Sequence, residues 1–153
     1  MLSLSPALAA PLFQNTATGM TVKEVLVAQP EAREVNLPGK GFSEAAPCLA
    51  MIDTYKVGSA TFDACFIFEQ GKLSTVRLEM KDDPAPFRYN EMLTLLRSKY
   101  GRELSETRDL LGLSAKWMTK EGTSVSLFFH DSVILQGLVI QYDTGTVEAA
   151  SKL

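Results

Sequence analysis

The chain has 153 residues, of which 46% are hydrophobic and 22% charged, enough apolar material for one packed core without metals or many crosslinks. A net charge of −3, with no basic run, excludes the positive footprint that nucleic-acid binding needs. No apolar stretch approaches the ~20 residues of a membrane span, so no transmembrane segment is expected.

Residues 1–18 form an apolar opening in which Ala7 and Ala9 match the Ala-x-Ala pattern of a signal-peptidase site. The stretch reads as the remnant of an export signal or as an unstructured N-terminus, because a basic start and a longer apolar run are missing. The ending Ser151-Lys152-Leu153 matches a peroxisomal address, a pattern of common residues that conflicts with export. Export to the periplasm or the medium is the leading expectation, and a cytoplasmic location the alternative.

A folded body is expected over 19–143, with related halves over 19–80 and 84–143 and a frayed tail over 144–153. In the first half, Thr21 and Glu24 make a capping box, Met20 and Val25 a hydrophobic staple, and Pro30 ends the helix. A loop is expected from Leu37 to Pro47. Cys48 to Lys56 reads as a strand, turning at Val57-Gly58-Ser59. In the next strand Phe62, Ala64, Phe66 and Phe68 alternate with Thr61, Asp63, Cys65 and Ile67. After a turn at Glu69 to Lys72, Val76, Leu78 and Met80 point inward, and Arg77 and Glu79 outward.

Asp82 and Asp83 read as the capping region of a second helix, Phe87 to Tyr100, whose apolar stripe is Tyr89, Met92, Leu93, Leu96 and Tyr100. Gly101 ends it. Beyond a polar link, Leu113, Ala115 and Trp117 alternate with Ser114, Lys116 and Met118. Val125, Leu127 and Phe129 then share a face, His130-Asp131-Ser132 reads as a turn, and Val133 to Tyr142 closes the body. The expected fold class is α+β: two helices packed on an antiparallel sheet, with a possible tandem helix-plus-meander repeat. Val76, Leu78 and Met80 are echoed by Leu138, Ile140 and Tyr142.

Cys48 and Cys65 fall nearly opposite each other if their strands form a hairpin, which points to a disulfide; two buried thiols are the alternative. The sequence offers no catalytic residue set. His130, the single histidine, has only Asp131 beside it on an expected turn, and neither cysteine has a basic neighbour to activate it. A histidine-built metal site is not supported, and no phosphate-cradling glycine pattern is present, so no metal and no cofactor are expected.

The opening Gly19-Met20-Thr21-x-x-Glu24-Val25 resembles that of small bacterial envelope proteins. The helix-plus-meander layout is similar to the β-lactamase inhibitor protein fold and to the small outer-membrane assembly lipoproteins. The resemblance implies a sheet whose open face engages another protein. It carries over no functional residue, and no lipobox cysteine precedes Gly19.

On that outward face the candidate contact residues are Ile67, Arg77, Met118, Phe128 and Val139. The leading function is therefore an exported, non-enzymatic binding module for a protein partner. A periplasmic protein that binds a small ligand or lipid, and an enzyme of unrecognised type, are the alternatives. Partner identity and oligomeric state are not legible in the sequence.

Overall fold

The structure, a computed structural model, describes residues 9–38, 46–132 and 136–144. Among these residues it holds two helices and eight strands, in the order α1 (Val22–Ala28), β1 (Arg33–Leu37), β2 (Cys48–Val57), β3 (Ala60–Glu69), β4 (Lys72–Met80), α2 (Pro86–Tyr100), β5 (Ser105–Asp109), β6 (Gly112–Met118), β7 (Ser124–Asp131) and β8 (Gln136–Asp143). The strands form one antiparallel sheet ordered β1-β2-β3-β4-β8-β7-β6-β5. The fold is α+β, as the alternation and the helix signals predict. Each helix precedes a meander of four strands, and the meanders meet where β4 pairs with β8.

The register shows what that meeting achieves. Ile52 pairs with Ala64, Ala64 with Leu78, Leu78 with Ile140, Ile140 with Leu127, and Leu127 with Ala115. The row crosses six strands, and every member is at most 3% exposed. Val25 of α1 and Tyr89, Met92, Leu93 and Leu96 of α2 belong to the same buried cluster, so both helices cover one face of the sheet. Burying a large aliphatic side chain contributes roughly 1.5–3 kcal/mol, which makes this shared face the main source of stability.

Local signals account for the helices. Thr21 Oγ1 accepts from the Glu24 amide at 3.2 Å and Glu24 Oε1 accepts from the Thr21 amide at 2.9 Å, the reciprocal box. Gly101, at φ +87°, ends α2, and its carbonyl accepts the Trp117 indole N–H at 2.8 Å. The two acids before α2 do not cap it. Ala85 stands at the cap position without a side-chain bond, and Pro86 opens the helix. Asp82 instead accepts the Thr61 amide at 2.7 Å, tying the connector back to β3.

Each meander has one strand more than the apolar alternation predicts. β1 and β5 lie at the two sheet edges, and all five residues of β5 are exposed. An edge strand is paired on one side only, and these sequences carry no inward apolar series, so alternation announces neither of them. β7 also runs through His130 and Asp131, which pair with Gly137 and Gln136; these residues are strand and not turn.

The packed body also begins before Gly19. Leu12 and Phe13 are buried, and the Phe13 ring lies 5.2 Å from Tyr55 and 5.7 Å from Tyr142. The Gly19 amide donates to the Leu73 carbonyl at 2.9 Å, and Thr123 Oγ1 donates to the Pro11 carbonyl. Thr144, at the start of the expected tail, is buried. The signal-like residues 1–8, most of the 37–47 loop, Val133 to Leu135, and the tail over 145–153 with its Ser151-Lys152-Leu153 ending lie outside the described residues.

From the last turn of α2, Arg97 grips Glu103 just beyond the helix through two bonds of 2.7 and 2.6 Å and holds that carboxyl at about 2, below its ordinary 4.5. A carboxylate with a depressed folded pKa adds stability that is complete above its unfolded value and is lost as pH falls through the folded one. Arg97→Gln is therefore expected to lower the denaturant midpoint slightly at neutral pH and to leave it almost unchanged near pH 2. Denaturant unfolding of both proteins across that range checks this.

Candidate functional site

Because both helices pack on one face, the opposite face of the sheet is built from the alternate residues of each strand. One row on it runs Met51, Cys65, Arg77, Gln141, Ser126, Lys116 across β2, β3, β4, β8, β7 and β6. The next runs Asp63, Glu79, Val139, Phe128, Ser114. Period-two alternation put Asp63, Cys65, Arg77, Glu79, Ser114, Lys116, Phe128 and Val139 on the outward side of their strands, and the register brings them side by side.

Polar groups bridge the β4–β8 seam on this face. Arg77 Nε lies 2.9 Å from Glu79 Oε2, and Arg77 Nη1 donates to Gln141 Oε1 at 3.3 Å. Gln141 Nε2 donates in turn to Asp143 Oδ2 at 3.1 Å. Arg77 and Glu79 are partly shielded, with side chains 23% and 29% exposed, which strengthens a charge-assisted bond relative to one in open water.

The five candidate contact residues all lie on this face, but not with equal access. Met118 is 39% exposed and Phe128 half-buried, while Ile67 and Val139 are only 3% and 7% exposed. Val139 is enclosed between the strands that carry Glu79 and Phe128. An incoming molecule would thus meet Phe128, Met118 and Arg77, with Ile67 and Val139 as apolar floor. The sequence reading missed His130, whose ring stacks on Phe128 with centroids 6.2 Å apart and planes 4° from parallel. Continuing the alternation two residues past Phe128 would have found it.

Cys48 and Cys65 are bonded to each other, with Cα atoms 5.7 Å apart. Together with Met51, Ile67 and Leu37 they line a surface cavity of about 70 Å³ beside Asp63, Arg77 and Glu79. The disulfide leaves neither cysteine as a free nucleophile, and His130 stands on β7, separated from the Cys65 strand by β4 and β8. Among the described residues no group of three or more His, Cys, Asp and Glu side chains is placed to hold a metal ion.

Among the described residues, the helix side includes cavities of about 140 and 200 Å³ that share Gln14, Lys99 and Tyr100. Tyr142, at the first of them, has its hydroxyl pushed far up by burial and by the neighbouring Tyr100. Gln14 Nε2 donates to the Tyr55 hydroxyl at 2.8 Å. Sites for small organic ligands usually measure roughly 300–1,000 Å³, so neither cavity is of a size for a lipid.

No protein-family model, curated protein or solved structure matches this chain. Among the described residues, no helix is long and apolar enough to cross a membrane.

The disulfide closes a loop with a sequence separation of 17, which on chain-entropy grounds is worth about 3 kcal/mol. Reduction, or Cys48→Ser with Cys65→Ser, is expected to lower the denaturant midpoint accordingly. Alkylation of the unreduced, unfolded protein is expected to label no thiol, and labelling of both cysteines would contradict the bond.

Proposed function

We propose that the protein is an exported, non-enzymatic binding module that recognises a protein partner through the open face of its sheet. The observation that carries this is the separation of roles between the faces. One holds the core and both helices, whereas the other presents Phe128, Met118 and Arg77 beside polar groups already aligned across the seam. Aromatic residues, Met and Arg are the types enriched in protein interfaces. The cavity of about 70 Å³ by the disulfide has room for one incoming side chain rather than for a free ligand. The small volumes on the helix side rank a lipid or small-ligand role below a protein partner.

Two further observations support the reading. The helix-plus-meander order resembles the β-lactamase inhibitor protein fold and the small outer-membrane assembly lipoproteins, where the sheet's open face engages another protein. The Cys48–Cys65 bond fits an oxidising compartment, which supports a periplasmic or secreted location.

The test is capture of partners from an envelope extract of the source cells by the tagged chain, repeated with Phe128→Asp and with Met118→Lys. One stoichiometric partner is expected, with at least roughly tenfold weaker capture by Phe128→Asp, since loss of a desolvated anchor residue costs about 2 kcal/mol or more. Absence of any partner would overturn the function, and equal capture by all three proteins would overturn the choice of face.

A further inference from the structure

Among the described residues no strand pairs with the outer edge of β5, and that edge is an unusual one. Natural sheets blunt their edges with charges, and Glu106, Arg108 and Asp109 fit that pattern. The flanking leucines do not. Leu104 is 73% exposed and Leu110 is 99% exposed, at opposite ends of the strand. Leu110 is held out by a fixed turn, because Asp109 Oδ1 accepts the amides of Leu111 at 2.8 Å and Gly112 at 3.2 Å. A Cβ on Gly112 would come within 1.9 Å of the Phe129 carbonyl oxygen, so glycine is required for the chain to turn there.

The order of residues along this edge is self-complementary. Written outward from Thr107, the segment Leu104-Ser105-Glu106-Thr107-Arg108-Asp109-Leu110 places acid opposite base and leucine opposite leucine when it meets its own copy antiparallel. Glu106 would face Arg108 of the second copy and Leu104 would face Leu110, each pair formed twice. Strand alternation puts Glu106 and Arg108 on one side of the strand, so both charge pairs form on the same face, with Leu104 and Leu110 flanking them just beyond the strand ends. Among the described residues Arg108 makes no ion pair, and Glu106 has its Oε2 engaged by the Tyr89 hydroxyl at 3.2 Å.

We propose that β5 pairs with β5 of a second copy of this chain, about a two-fold axis at Thr107, to give a dimer with one continuous sheet. Such an interface is isologous and closes on itself, so it forms dimers and not fibres. The axis stands perpendicular to the sheet, so both open faces point the same way and a partner would meet two copies of the Phe128 surface at once. The inference stands on the edge strand alone and is independent of what the open face binds. Edge pairing over so short a strand buries little surface, so a weak dimer that dissociates on dilution is expected.

Sedimentation velocity on the whole chain from roughly 1 to 300 µM tests this. Wild type is expected to move from monomer to dimer across the series. Arg108→Glu turns two attractive cross-strand pairs into two repulsive ones and is expected to weaken the dimer roughly ten- to hundredfold. Glu106→Arg is expected to weaken it similarly, and the double exchange Glu106→Arg with Arg108→Glu to restore it, since the opposite charges then face each other in reversed order. A wild type that stays monomeric throughout, a dimer indifferent to Arg108→Glu, or a double exchange no tighter than the single changes would each overturn the proposal.

Discussion

The pairing of β4 with β8 is the constraint on which the rest of the molecule depends. It places Leu78 opposite Ile140 at the centre of a buried row that runs from Ile52 to Ala115. Without it each meander would present a long central strand as an open edge and have one helix to cover its apolar face, an arrangement prone to wrong pairing. With it, β4 and β8 become interior strands, and the edges left over are the short, exposed β1 and β5. The N-terminal segment adds to the same face, since Phe13 packs among Tyr55, Phe66 and Tyr142 on both sides of the seam.

The same pairing divides labour between the faces. Sheet geometry sends successive side chains to opposite sides, so the register that buries Leu78 and Ile140 also sets Arg77 beside Gln141 on the other face. A shift of one residue would exchange the two sets, putting charge in the core and leucine in water. The candidate surface is thus a by-product of the core's register, and its polar groups cross the seam that joins the two meanders. The edge contact inferred for β5 would apply the same antiparallel operation between chains that β4 and β8 apply within one.

Much of this was legible in the sequence wherever side chains alternate between core and solvent. Phe62, Ala64 and Phe66, then Val125, Leu127 and Phe129, announce interior strands, and Thr21 with Glu24 announces α1. β1 and β5 were not legible because an edge strand needs no apolar series; its partner's backbone holds it in place. Asp82 and Asp83 read as caps because local sequence favours that role, whereas the amide that engages Asp82 comes from Thr61, distant in sequence and close only after β3 and β4 pair. For the site, alternation revealed which residues face outward. It could not reveal that Ile67 and Val139 are enclosed, or that Phe128 stacks on His130, since those follow from neighbours on other strands and from where β7 ends.

The most direct test of the central claim is native-state hydrogen exchange followed as denaturant is raised toward the unfolding transition. If β4 and β8 weld the meanders into one cooperative body, the slowest amides of β3 and β4 and those of β7 and β8 will converge on the same opening free energy and the same denaturant dependence. If the two sets instead exchange through openings of clearly different free energy, the meanders unfold as separate units, and the seam is not what holds the structure together.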